Sequence, residues 1–178
     1  MGKLHAAIVP LAVTINRMSI ARNLRAVLEI STPAWDRARR AESGAPGLTG
    51  MQEGTTHNGS ISVHWYESGP QDAELTVVYV HGFNISSQSF YLQEQALRSA
   101  GIRQLLVDVR GHGHTATDTV ATFGAATPTE LNVDGAADDV MAVIRDRGVR
   151  GPVIVVGHSL GGPVSLSLIR RYACLLYT

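Results

Sequence analysis

The sequence predicts an α/β fold, a doubly wound and mostly parallel sheet with helices on both faces. Three observations carry that prediction. Val77-Val78-Tyr79-Val80, Leu105-Leu106-Val107 and Pro152-Val153-Ile154-Val155-Val156 are short, apolar and β-branched, the pattern of strands buried on both faces. Each run leads directly into a turn or loop that contains glycine. Between the runs lie stretches whose apolar residues recur at helical spacing. Strands alternating with helices in this order imply right-handed crossovers and a site at the carboxyl ends of the strands.

The elements follow in chain order. Ala6–Ile15 is largely apolar but too short and too Pro-interrupted for a membrane span. Ile20, Leu24, Val27 and Leu28 fall at helical spacing with Arg17 and Arg25 among them, and no acid precedes Glu29. This segment reads either as a basic amphipathic leader or as sequence upstream of a start at Met51. Ser43–Gly50 is a Gly, Pro and Ser linker. Residues 1–56 are therefore expected to be an extension and linker, non-native or disordered, ahead of a domain over residues 57–173.

Within that domain, Ile61, Val63 and Trp65 alternate with Ser62, His64 and Tyr66, a half-buried strand near the sheet edge. Ser86 or Ser87 can cap a helix running toward Gly101, with Phe90, Leu97 and Ala100 facing the core. Thr127-Pro128-Thr129-Glu130 has the capping-box pattern, and Asn132 is a rival cap for the same helix. Ala137, Val140, Met141 and Ile144 supply its apolar face, and Gly148 ends it. After Ser159, Val164, Leu166, Leu168 and Ile169 make a last helix apolar enough to be mostly buried. Cys174–Thr178 matches the translation of a transposase mosaic-end library adaptor, so residues 174–178 are expected to be a non-native tail. Cys174 then says nothing about redox compartment, and a single cysteine forms no internal disulfide in any case.

Charge excludes some partners. The chain has 15 Lys and Arg against 15 Asp and Glu. Met1–Arg40 holds seven basic residues against two acids, and the remainder eight against thirteen. A mildly acidic domain offers no electrostatic footprint for nucleic acid. Gly111-His112-Gly113-His114 lacks the further ligands of a zinc site, so neither a metal nor a cofactor is expected.

Gly157-His158-Ser159-Leu160-Gly161-Gly162 joins the last apolar run to the last helix. It has the form of a nucleophile elbow, a tight strand-to-helix turn that lifts a serine hydroxyl above the sheet. Gly157 and Gly161 occupy the small-residue positions that let neighbouring backbone pass. A helix starting near Leu160 aims free N–H groups and its positive dipole end at the hydroxyl, which suits a developing oxyanion. His81-Gly82-Phe83 follows the first apolar run, and Asp108-Val109-Arg110-Gly111-His112-Gly113 the second.

With these three motifs, the segment from about Ser60 to Ala173 resembles the N-terminal half of an α/β-hydrolase of the esterase/lipase-like group. The resemblance implies Ser159 as nucleophile, with the backbone N–H groups of Phe83 and Leu160 forming the oxyanion hole. It implies supporting roles for His81, Gly82, Gly157, His158 and Gly161. Asp108 and Arg110 become braces for the loop beneath the site.

In this fold the triad runs serine, acid, histidine along the chain. No Asp, Glu or His lies between Leu160 and Thr178. His158 diverges from its neighbour on a sharp elbow, and His81 orients its own turn. A rearranged base built on His112 with Asp108 is the one alternative within the chain. The expectation is a serine hydrolase for a small carboxylic ester or related acyl substrate, inactive as this chain because its acid and histidine are missing. Lactonase, amidase, C–C hydrolase, perhydrolase and acyltransferase chemistry share the same elbow. A non-catalytic binding protein is the reading from another class. A cytoplasmic location is expected if the N-terminal segment is no leader.

Overall fold

The computed structural model describes Leu48 and residues 50–83, 85–123 and 132–173. Its elements in order are β1 (Gln52–Asn58), β2 (Ile61–Ser68), β3 (Thr76–Val80), a 3-10 turn (Ser87–Phe90), α1 (Tyr91–Arg98), β4 (Arg103–Val107), α2 (Gly113–Phe123), α3 (Val133–Asp146), β5 (Val153–Gly157) and α4 (Gly161–Arg171). The five strands form one sheet in the order β1-β2-β4-β3-β5. β3 pairs in parallel with both β4 and β5, while β2 runs antiparallel to both of its neighbours. Four strands therefore point one way and β2 the other. The chain leaves β3 toward β4 and later returns to its opposite side as β5, which makes the end of β3 the switch point of the sheet.

Alternation along the strands divides the core in two. Val78, Val80, Leu105, Val107 and Trp65 pack with Val140, Ile144, Val164 and Leu168 of α3 and α4. Val77, Tyr79, Leu106 and Tyr66 pack on the other face with Phe90, Leu97 and Ile102. Odd and even strand residues thus meet different helices, the arrangement that requires apolar side chains on both faces.

Several expectations need correction. β2 is buried at every residue rather than half-buried, because β1 covers its outer edge. Its polar groups are taken up by α2: Thr115 accepts from the His64 N–H at 2.8 Å, and Thr119 from the Ser62 N–H at 3.1 Å. β1 starts at Gln52, ahead of the boundary at residue 57, and packs Gly54 against the Trp65 ring, where a Cβ would stand 2.6 Å from Cζ2. The helix after Ser86 begins as a 3-10 turn and ends at Arg98, leaving Ala100 exposed. On α4, Val164 and Leu168 are fully buried, but Leu166 is 69% and Ile169 45% exposed. They lie on the side of α4 away from α3, and α3 and the sheet together cover only the other half of the helix. Among the described residues β5 has a single strand neighbour, and Ile154, Val155 and Val156 are half-buried. Asn132 does cap α3, accepting from Asp134 and Gly135 N–H groups, and the Thr127–Glu130 pattern lies outside the described residues. Among the described residues no helix is long and apolar enough to cross a membrane.

A buried ion cluster ties β2 and β4 to the end of α3. Glu67 and Arg103, each 2% exposed, bond at 2.7 Å, and Glu67 also accepts from Arg147 at 2.8 Å. Arg103 spends its remaining donors on the carbonyls of Gln71 and Arg147. Removing one partner of such a cluster strands a buried charge. Glu67→Ala should therefore cost about 3–5 kcal/mol, read from the urea midpoint. A loss below about 1 kcal/mol would mean the cluster is not sealed from water.

Candidate active site

β5 ends at Gly157, and the chain reverses through His158-Ser159-Leu160 into α4. Ser159 has φ +51°, the only positive φ of a non-glycine residue among those described. L-residues adopt that conformation at a cost and keep it where the surroundings leave no alternative. Here the surroundings are backbone. The His158 N–H donates to the Val80 carbonyl at 3.0 Å, Gly161 N–H to His158 at 2.8 Å, and Gly162 N–H to Ser159 at 2.9 Å. A Cβ on Gly157 would stand 2.6 Å from the Gly161 carbonyl carbon, and one on Gly161 would be driven into the Val80 carbonyl. Nothing lies within 4 Å of a Cβ placed on Gly162. No side chain caps the N-terminus of α4 and no acid lies in its first turn. Its positive dipole end is therefore free to act on the turn.

The His81-Gly82-Phe83 turn packs directly on this elbow. A Cβ on Gly82 would be 2.9 Å from His158 Nδ1 and 3.1 Å from Ser159 Cβ. His81 is fully buried and both of its nitrogens are engaged. Nδ1 lies 2.8 Å from the Gly82 carbonyl, which can only accept, so Nδ1 carries the proton. Nε2 in turn accepts the Val109 N–H at 2.9 Å. Burial pushes the His81 pKa below 6.5 and the His112 charge acts in the same sense, against the opposing pull of the Gly82 carbonyl and Asp108. A neutral histidine here fastens the end of β3 to the loop after β4.

Asp108 is 1% exposed and accepts main-chain N–H groups from Ser87 and His114, both at 2.8 Å. Arg110 reaches both oxygens of Asp139 on α3 at 2.7 and 2.9 Å and donates to the Gly135 carbonyl. The missing Cβ of Gly135 leaves room for the guanidinium, 2.7 Å from where that atom would sit. Nothing in the sequence marked Gly135 or Asp139 for the site, and Ser87 stood out there only as a candidate helix cap. The pairing of a charged loop with an acid on the next helix was the only available hint.

His158 is exposed and lies against Gly82. His112 donates from Nδ1 to the Arg110 carbonyl at 3.0 Å, and its ring stands 5.5 Å from the exposed ring of Phe83. Asp108 spends its oxygens on Ser87 and His114, so the rearranged pair of His112 with Asp108 is not formed. Among the described residues no side chain hydrogen-bonds the Ser159 hydroxyl. Phe83 and Leu160 likewise have N–H groups without a protein acceptor among those residues, the condition for donating to a ligand oxygen.

Residues 77–177 match the family model described as "Alpha/beta hydrolase family". The bifunctional esterase/perhydrolase DCH of Acinetobacter calcoaceticus is 34% identical over 118 residues, which are 66% of this chain and 38% of that protein. The solved esterase RhEst1 from Rhodococcus sp. ECU1013 superposes with a TM-score of 0.54 at 28% identity, covering 71% of this chain and 42% of the other. Epoxide hydrolase VrEH1 from Vigna radiata gives a TM-score of 0.58 at 23% identity over 74% and 38% of the two chains, a likeness of fold alone. The chain spans well under half the length of each of these relatives.

Two outcomes follow from the geometry. Gly161→Ala forces a methyl against Val80 and should cost about 1–3 kcal/mol, while Gly162→Ala should be neutral or slightly stabilising. Equal effects in urea melts would contradict the close approach of α4 to β3. For His81, the unfolded state binds a proton at higher pH than the folded state does. Stability should therefore be full above pH 6.5, fall as the pH drops from there to the depressed folded value, and level off below it. His81→Gln should flatten that part of the profile of urea midpoint against pH.

Proposed function

The chain belongs to the alpha/beta hydrolase family, and on that premise we propose that it is a serine hydrolase acting on a carboxylic ester or related acyl substrate. The observation that carries this reading is the positive φ of Ser159 at the strand–helix turn, packed against the His81-Gly82 turn. In this reading the Ser159 hydroxyl adds to the substrate carbonyl, and the resulting oxyanion takes N–H groups from Phe83 and Leu160. Collapse of the adduct expels the alcohol and leaves an acyl group on Ser159, which water then removes.

The proton leaving Ser159 needs a base. His81 is sealed with both nitrogens engaged, and His112 holds its own loop carbonyl. The base and the acid that orients it are assigned to sequence other than these 178 residues, in the chain order serine, acid, histidine. An aspartate nucleophile, as epoxide hydrolysis on this fold would use, is disfavoured by the serine at 159. A perhydrolase variant, with peroxide in place of water at the acyl-enzyme, fits the same residues and the description of the Acinetobacter relative.

In a protein that includes the base, Ser159→Ala should lower kcat/KM for p-nitrophenyl acetate by at least about a thousandfold. Retained hydrolysis would overturn the nucleophile assignment. The 178-residue chain alone should show no rate above that of its own Ser159→Ala variant. A Ser159-dependent rate there would place the base among the residues present.

A further inference from the structure

His64 lies on β2 outside the candidate active site and is 8% exposed. Its Nδ1 is 2.8 Å from Asp118 Oδ2 on α2, and the same carboxylate oxygen accepts from the Thr55 hydroxyl of β1 at 3.2 Å. A carboxylate can only accept, so Nδ1 bears a proton. The other nitrogen, Nε2, is buried and has no hydrogen-bond partner. Glu53 Oε2 of β1 stands 3.5 Å from it. In a neutral imidazole Nε2 is a lone pair, so two acceptors confront each other across that gap, and one of them is buried. A second proton on the ring turns the confrontation into an ion pair. Glu53 has the freedom to close the distance, since its side chain is 62% exposed.

The remaining groups around the ring come from three elements. On α2, the His114 ring is centred 4.8 Å away. On β2 itself, the Tyr66 ring is centred at 4.9 Å. From the end of β4, the Asp108 N–H donates to the His64 carbonyl at 3.0 Å. The Tyr66 phenol has its pKa raised by burial first, and then by Asp108, Glu53 and Asp118. It stays neutral. Among the described residues His114 is the other group beside the ring that could carry positive charge, and its charge would oppose that of His64.

We propose that His64 is a protonation-dependent latch: its imidazolium bridges Asp118 of α2 and Glu53 of β1, and loss of the Nε2 proton loosens the edge strand β1 from the sheet. Deprotonation leaves a buried acceptor without a donor, in contact with a carboxylate that no longer gains by staying close. The strain falls on β1 because β2 is held by β4 and by Thr115 and Thr119, whereas among the described residues β1 has β2 as its only strand neighbour. The inference is independent of the hydrolase reading, and its readout involves no catalysis.

The test is amide hydrogen exchange of the 178-residue chain, corrected for intrinsic exchange, across whatever pH range NMR shows the His64 ring to change protonation in. Protection of the β1 ladder should fall roughly tenfold as His64 deprotonates, while β3 and β4 are unaffected. In Glu53→Gln the side-chain amide can donate to the neutral Nε2, so β1 protection should become independent of pH. His114→Gln should preserve the dependence. The latch is wrong if β1 protection does not follow the His64 titration, if Glu53→Gln leaves the dependence intact, or if His114→Gln abolishes it.

Discussion

The carbonyl oxygen of Val80 accepts the His158 N–H at 3.0 Å and lies where a Cβ on Gly161 would have to go, so β3, β5 and α4 converge on one backbone atom. Nothing larger than glycine at 161 permits that approach. The same convergence brings the His81-Gly82 turn against Ser159. With β5 fixed in register beside β3 and α4 pressed onto the junction, the backbone at 159 has a left-handed conformation as its remaining route. Strain at the serine is thus a consequence of packing between two parallel strands and one helix, and the helix dipole falls on the same spot.

Around that junction the buried polar groups are committed to holding backbone. His81 bonds to the main chain at 82 and 109, and Asp108 to the main chain at 87 and 114. Arg110 joins the loop after β4 to α3 through Asp139. Each group is satisfied within the fold, which stiffens the loops that surround Ser159. The histidines and charges around Ser159 therefore read chemically as scaffolding, and among the described residues no side chain engages the Ser159 hydroxyl.

The sheet is asymmetric in how its two edges are finished. β1 is polar, carries Glu53 and is tied to helices through Thr55, Thr56 and Asn58. β5 is apolar and uncharged, with exposed Leu166 and Ile169 on the helix beside it. Charge on one edge discourages pairing with other chains, while the other edge has the chemistry of a strand that expects a neighbour. The apolar edge and the helix face next to it also account for the two residues on α4 whose burial the sequence overstated.

The strands of Val77–Val80, Leu105–Val107 and Val153–Val156 and the turn at Ser159 were legible in the sequence, and Asn132 stood there as one of two caps for α3. They rest on local properties: β-branching, glycine spacing and a side chain that bonds backbone two or three residues away. β1 was not legible, because Gln52–Asn58 is a strand only through pairing with β2 and through the fit of Gly54 to Trp65. Nor were the proton position on His81, the acceptor role of Asp108, the union of Glu67 with Arg103 and Arg147, or the confinement of His64. Apart from the Gly82 carbonyl next to His81, each depends on a group removed in the chain that folding brings within 3 Å or so, and such neighbours set burial and hydrogen-bond satisfaction. The sequence determined the three central strands and where the serine turn falls; the tertiary structure added β1 to the sheet and decided which polar groups are spent on holding that turn, because pairing, burial and hydrogen-bond satisfaction are set by neighbours distant in the chain.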